Sequence, residues 1–289
     1  MAAVATLADD RSYAIPLADE YVREARSCYT NGEYGSSVLS GRKYSNKALV
    51  AARGVREPWT PPSVRWYNVE GVRNVRDCGG WNGLREGVVI RGGELDSAAV
   101  AGRRDANNPD SKKRNYGDIT EVGRRTMRET LGVKTDLDLR GVGRKVGRSA
   151  IGDDVTHVVA PVGAYMKLFD RSEPVAECLR TFARPENYPV YIHCAGGADR
   201  TGCILFLLEG LCGVGEADLS IDYELTSFGI ERRHRTDGTY KFASFVGKVK
   251  AYPGDSLKDK IESFAVSELG LSKEEIASIR AILTKKGAR

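Results

Sequence analysis

The sequence predicts an α/β fold: a mostly parallel central sheet flanked by helices, with a small N-terminal extension of uncertain class. Three observations carry this. Between residues 88 and 193, short β-branched runs alternate with segments of helical period, the pattern of strands joined by helical crossovers. Residues 190–202, VYIHCAGGADRTG, lead from an apolar strand-like run through a glycine-rich loop into a long apolar stretch ending at Leu211. Residues 57–62, EPWTPP, deny helix to the chain and place a boundary there.

Taken in order, residues 1–60 are the extension. Leu17, Tyr21, Ala25 and Cys28 recur at helical spacing, and YTNGEY at 29–34 can turn into a second helix reaching Ala52. A helical hairpin is one reading; the frequent Ser, Gly and Tyr leave a β-rich module as the other. Residues 61–289 form the second domain. A strand is expected at 88–91 and a polar loop at 107–115. Thr120 caps a helix running to about Leu131, and Gly132 stops it. The alternating VKTDLDL at 133–139 reads as a strand, GVGRKVGRSAIG at 141–152 as a basic loop, and 155–159 as a further strand. A helix at 173–182 precedes the strand at 190–192, and Thr201 is placed as a cap near the start of the next helix. From Leu211 onward the pattern is helical, with Ser272 and Glu275 forming a capping box for the last helix.

The 289 residues, 41% hydrophobic, suffice for one large domain or a domain with an extension. A net charge of +5 suits anionic ligands but is too small for a nucleic-acid surface, and no nucleic-acid motif is present. No apolar run approaches the ~18 residues of a membrane span. The opening MAAVATLADD has neither a basic region nor a full apolar segment, so no complete signal peptide is read, and the compartment stays open between cytoplasmic and exported. Cysteines stand at 28, 78, 178, 194, 203 and 212 without CxxC spacing, and with only three histidines a zinc site is not expected. Free thiols, no metal and no cofactor are the expectation.

The loop from Cys194 to Arg200 joins a strand to a helix. Such a loop aims backbone N–H groups at the helix N-terminus, a position that favours an anion. Gly196 and Gly197 let the backbone curl with positive φ, so that the amides of Ala195, Gly196, Gly197 and Ala198 can form a nest for phosphate-like oxygens. The same field favours a thiolate at Cys194. Arg200 offers a planar fork for two oxygens. Cysteine is commonly a small buried hydrophobe, but Gly, Asp and Arg do not build a core. A thiolate facing a phosphorus held in this way is a nucleophile ready for displacement.

The Cys-x5-Arg-Thr spacing, with His193 before the cysteine, resembles the signature loop of the cysteine-dependent protein tyrosine phosphatase superfamily. The form HCxxGxDRTG is similar to that of a bacterial tyrosine phosphatase family that includes secreted phosphatases of pathogens. Three further segments resemble that family in its order: GVRNVRDCGG at 71–80 followed by VVIRGG at 88–93, DYELT at 222–226, and GLSKEEI at 270–276. The resemblance spans residues 66–285. Rhodanese-like sulfur transferases also place cysteine in an anion-binding loop, and the flanking segments argue against them.

The resemblance implies hydrolysis of phosphomonoesters through a phosphocysteine. Such a reaction needs one carboxyl to protonate the leaving oxygen and then to activate water. Asp199, beside Arg200, is the acid that the family suggests, with a loop brace as its plainer reading. Asp138, in DLDLR at 136–140, matches the family's DLR motif and is the second candidate, with a salt bridge as its plainer reading. Thr201 can donate to the sulfur. His193, as the last strand residue, points away from Cys194 and fixes the loop by hydrogen bonding. Arg76 and Asp77 are expected to brace the fold by pairing, and His157 and His234 to be structural.

Relatives often carry Lys where this chain has Ala198, a loss that weakens the case for substrates with several phosphates. Phosphotyrosine or another aryl phosphate, on a protein or a small molecule, is therefore the expected substrate. A phosphoinositide or inositol phosphate, met by Arg144, Lys145 and Arg148, is the alternative, and a non-catalytic phosphate-binding module is a third reading. Residues 165–169, YMKLF, are read either as an aromatic lid or as a packed amphipathic segment.

Overall fold

The computed structural model describes residues 66–81, 83–96, 118–140, 148–226 and 240–284. The expected N-terminal hairpin, the boundary at 57–62, the polar loop at 107–115, His234 and the basic residues Arg144 and Lys145 lie outside them.

Among the described residues, five strands form one sheet: β1 Arg76–Asp77, β2 Val89–Gly92, β3 Thr135–Asp138, β4 Thr156–Val159 and β5 Val190–His193. Their spatial order is β1-β2-β5-β3-β4, with β1 antiparallel to β2 and every other pair parallel. The expected mostly parallel sheet is thus present. Its helices are α1 Glu121–Arg125, α2 Ser172–Phe182, α3 Asp199–Leu211, α4 Glu216–Leu225, α5 Phe242–Lys250, α6 Leu257–Ser267 and α7 Lys273–Leu283.

Strand periodicity divides the core. Val89, Leu137, Val190 and Ile192 face the cluster built by α2 to α7. Their neighbours Ile90 and Tyr191 face a second cluster, with Val75 and Met127. Successive side chains of a strand point to opposite faces, so short runs such as VYIH must be apolar throughout when both faces are covered. Helix α3 lies at the centre of the larger cluster, and every residue from Thr201 to Leu211 is buried. This is why its sequence lacks a polar face.

Several element ends follow the sequence reading. Thr120 caps α1 by accepting the Gly123 amide at 3.2 Å. The helix continues as one wide turn, Thr126–Thr130, before Gly132 at φ +63° ends it. Ser272 and Glu275 form the capping box of α7. Helix α3, however, begins at Asp199, two residues before the expected cap. Its cap position is Ala198, and Thr201 lies inside the first turn with its side chain buried. The loop is therefore tighter than the sequence suggested.

Because β2, β5, β3 and β4 run in parallel, their C-terminal ends share one edge. The chain leaves β5 at that edge, between β2 and β3, and parallel sheets bind ligands beyond the C-terminal ends of their strands. Cys194 is the first residue beyond β5.

Candidate active site

The loop of residues 194–198 is held from behind by five successive carbonyls. His193 Nδ1 donates to Cys194 O at 3.2 Å, and the Glu94 amide donates to Ala195 O at 2.9 Å. Asn74 Nδ2 donates to Gly196 O at 3.0 Å and to Gly197 O at 3.2 Å. Arg91 Nη2 donates to Gly197 O at 2.9 Å, and the Gly202 amide to Ala198 O at 2.8 Å. In a planar trans peptide the N–H points opposite to the C=O. Carbonyls drawn outward therefore turn the amides of Ala195, Gly196, Gly197, Ala198 and Asp199 inward, into a cradle suited to an anion.

Of the two loop glycines only Gly197 takes positive φ, at +64°. A Cβ on it would lie 2.0 Å from Gly92 O, so the loop also rests directly on the end of β2. The expectation of positive φ at both glycines is corrected accordingly: one left-handed residue suffices for the turn.

The braces form one buried network. Arg91 pairs with Asp222, and Arg76 Nε lies 3.5 Å from Asp222 Oδ1. Arg76 also donates to Asn74 Oδ1 at 2.5 Å, to Asp222 O at 2.8 Å and to Thr226 Oγ1 at 3.2 Å. Asn74 holds φ +61°, a left-handed conformation that asparagine tolerates better than most residues. Asp77 accepts the amides of Gly79 at 2.7 Å and Gly87 at 2.6 Å, so Arg76 and Asp77 both brace the fold but through other partners: Arg76 through Asp222, Asp77 through backbone amides. The segments at 71–80, 88–93 and 222–226 thus converge on the back of the loop, but the sequence reading gave no role to Asn74, Arg91 or Asp222. Their signal was there in the asparagine and arginine of those segments, without anything to say what they touch.

Cys194 is buried at 3% exposure. Burial pushes its thiol up, but the Arg200 guanidinium and the hydroxyl and amide of Thr201 together outweigh this and hold it below the ordinary value. The Thr201 side chain is fully buried, and its hydroxyl is one of the groups that hold the Cys194 thiol down. Arg200 Nη1 donates to Leu139 O at 3.2 Å, which tethers the guanidinium to the end of β3. The remaining described cysteines are free, and burial raises each of them, Cys212 to about 12. Cys203 is buried within α3, and Cys212 is its half-buried C-cap.

Asp138 reaches the same sheet edge but is fully buried and bound to Arg140. Its Oδ1 accepts Arg140 N and Nε, each at 2.8 Å, and its Oδ2 accepts Nη2 at 2.7 Å. Arg140 also pairs with Glu94 at 3.0 Å and Asp96 at 2.8 Å. Burial alone would raise the Asp138 carboxyl, yet His193, His157 and Arg140 outweigh it and hold the group far below the carboxylate range. His157 Nε2 stands 3.9 Å from it. His193 Nε2 lies 2.9 Å from Asp136 Oδ1, and the two aspartates hold its imidazole above the ordinary value against burial. A carboxyl kept ionised at neutral pH has no proton to give, so this geometry suits Asp138 to orienting Arg140 and His193.

Asp199 opens α3 next to Arg200, and its Oδ1 accepts the hydroxyl of Tyr165. Residues 165–169 pack as an amphipathic segment: Leu168 is buried in the core, Phe169 packs on Phe245 at 5.9 Å and Phe264 at 5.5 Å, and Met166 and Lys167 are exposed. Among the described residues no group of three or more His, Cys, Asp or Glu is arranged to hold a metal ion, and no helix is long and apolar enough to cross a membrane.

No curated protein sequence matches. A solved structure, the core catalytic domain of the PP-IP phosphatase SIW14 from S. cerevisiae in complex with citrate, is similar at 14% identity. It covers 72% of this chain and 94% of its own, with a TM-score of 0.41. The sequence profile of the tyrosine phosphatase family matches residues 114–285, a span that contains β3 to β5, the loop and α1 to α7. On that match the chain belongs to the tyrosine phosphatase family and is a protein-tyrosine-phosphatase-like phosphatase.

Proposed function

We propose that the chain hydrolyses phosphomonoesters through a phosphocysteine on Cys194, in the HCxxGxDRTG manner, with phosphotyrosine or another aryl phosphate as substrate. The observation that supports this most is the lowered thiol at the floor of a cradle of five inward amides. In the first step the Cys194 thiolate attacks phosphorus. The P–O bond to the leaving group breaks, and its electron pair takes a proton from Asp199. In the second step water attacks phosphorus and gives its proton to the Asp199 carboxylate, while the S–P bond returns its pair to sulfur.

Arg200 and the amides of Ala195, Gly196, Gly197 and Ala198 hold the equatorial oxygens, where charge spreads in the transition state. Thr201 stabilises the departing thiolate. Asp138 acts through Arg140 and His193 and does not meet substrate. No metal is needed, because the guanidinium and amides supply the positive field.

Ala198 is buried and carries no charge toward the cradle. Arg148, one of the cations that an inositol phosphate would need, pairs with Asp153. Both favour a substrate with one phosphate. The experiment is turnover of a phosphotyrosine peptide against inositol phosphates at matched concentration, with chelator present. Preference for the peptide is expected; preference for the inositol phosphates would reverse the substrate assignment, and no turnover of either would leave a phosphate-binding module.

A further inference from the structure

Tyr165 is tied to the site by four contacts. Its hydroxyl donates to Asp199 Oδ1. Its hydroxyl oxygen is 2.8 Å from the hydroxyl of Tyr223. Since the Tyr165 proton is committed to the carboxylate, Tyr223 is the donor of this second bond. The two rings meet edge to face at 6.5 Å. The Tyr165 amide donates to Cys203 Sγ at 3.3 Å, from the second turn of α3.

The tyrosine adopts φ +53°, a left-handed conformation unfavourable for an aromatic residue. Such a residue persists only where its surroundings over-determine it. Here they do. Tyr223 is stacked on Phe242 at 3.9 Å with rings 7° from parallel, and it follows Asp222, the counter-ion of Arg91. Four residues along from Tyr165, Phe169 anchors the turn Tyr165–Asp170 against α5 and α6. The hydroxyl therefore stands at a fixed point.

Asp199 needs such a point. It lies in the first turn of a helix at the rim of the cradle, and a carboxyl on two rotatable bonds samples several orientations. Proton transfer in a transition state requires the donor within hydrogen-bond reach of one atom. Pinning Oδ1 fixes the plane of the carboxyl. The Tyr165 hydroxyl is itself held well above its ordinary value by burial, Asp199 and Tyr223, so it remains a donor and does not compete as the acid.

We propose that Tyr165 is a positioning residue for Asp199, orienting its carboxyl toward the leaving oxygen through a Tyr223–Tyr165–Asp199 chain of hydrogen bonds; this rests on the reading of Asp199 as the acid. The turn that carries Tyr165 would then couple the packing of α5 and α6 to leaving-group protonation.

The test is kcat/KM across aryl phosphates of graded leaving ability, from dinitrophenyl phosphate to phenyl phosphate, for wild type, Tyr165→Phe, Asp199→Asn and the double variant. Tyr165→Phe keeps the ring and loses only the hydroxyl. It should cost about tenfold on phenyl phosphate and under about threefold on dinitrophenyl phosphate, because misplacement matters most where proton transfer does. In the Asp199→Asn background it should add nothing to the leaving-group slope. Tyr223→Phe, which removes only the outer hydroxyl, should give the same pattern at smaller amplitude and serves where Tyr165→Phe folds poorly. Equal losses on both substrates, or an unchanged slope effect without Asp199, would overturn the positioning role while the steep dependence of Asp199→Asn left the acid standing. A flat dependence in Asp199→Asn would remove both assignments.

Discussion

Asn74 Nδ2 donates to Gly196 O across 122 residues of sequence, at 3.0 Å and in a fully buried setting. One side chain thereby turns two peptide planes of the loop, since it also reaches Gly197 O. Asn74→Ala should leave both carbonyls with fewer donors and cost about 1–3 kcal/mol of stability. It should also lower kcat/KM by about tenfold through misdirected amides. Asn74→Gly accepts the left-handed φ and should recover part of the stability but not the rate. Urea unfolding and kcat/KM measured on both variants check this, and a normal rate in either would mean that the loop holds its shape without the brace.

Gly197 and Gly132 separate close approach from backbone strain. Both take positive φ, +64° and +63°, but a Cβ at Gly132 meets nothing within 4 Å while one at Gly197 meets Gly92 O at 2.0 Å. Gly132→Ala should cost about 1–2 kcal/mol of stability and leave turnover unchanged. Gly197→Ala must move either the loop or β2, and should lower kcat/KM by about 10² or more. Thermal unfolding and turnover measured on the pair decide it.

The thiol of Cys194 should alkylate with a midpoint below the 9.0 of an ordinary cysteine. Thr201→Ala and Arg200→Met should each raise the midpoint. Arg200→Lys should barely move it, since the charge is kept, yet should lose most turnover because the bidentate fork is gone. The rate of iodoacetamide labelling at Cys194 against pH reads the first effect, and turnover the second. A Lys variant with near-normal turnover would remove Arg200 as the clamp.

Asp138 and His193 shift in opposite directions, which fixes the form of the stability profile. The Asp138 carboxyl is depressed, so its contribution is complete above the unfolded value of about 3.9 and is lost as pH falls toward the folded one. The His193 imidazole is raised, so its contribution is complete below about 6.5 and is lost as pH rises through its folded value. Asp138→Asn should cost about 3–5 kcal/mol at neutral pH, flatten the acid limb and bring the alkaline limb to lower pH. Its turnover should fall alike for good and poor leaving groups. Unfolding in urea across pH provides the measurement; an unchanged acid limb would contradict the assignment.

The sheet, the loop and the last helix could be read from sequence because each leaves a local trace. β-branched runs mark β2, β4 and β5, glycines beside Cys194 mark a tight turn, and Ser272 with Glu275 marks a cap. The support of the loop leaves none. Asn74, Arg91 and Asp222 act through side-chain bonds to distant backbone, and neither periodicity nor composition records such a bond. Tyr165 was legible as an aromatic near the site, but its hold on Asp199 depends on a left-handed turn that nothing in YMKLF announces. Asp138 shows the reverse: its sequence position suggested chemistry, and Arg140, two residues on, is what binds it.

Pre-steady-state release of p-nitrophenolate by Asp199→Asn, with mass spectrometry of the Cys194 peptide from the quenched reaction, bears on the whole scheme. An activated leaving group departs with little help from an acid, whereas hydrolysis of the phosphocysteine still needs the base. A stoichiometric burst, followed by slow turnover and a phosphoryl group on Cys194, is the expected result. Linear release without a burst, no modification of Cys194, and wild-type turnover in Cys194→Ser would contradict it.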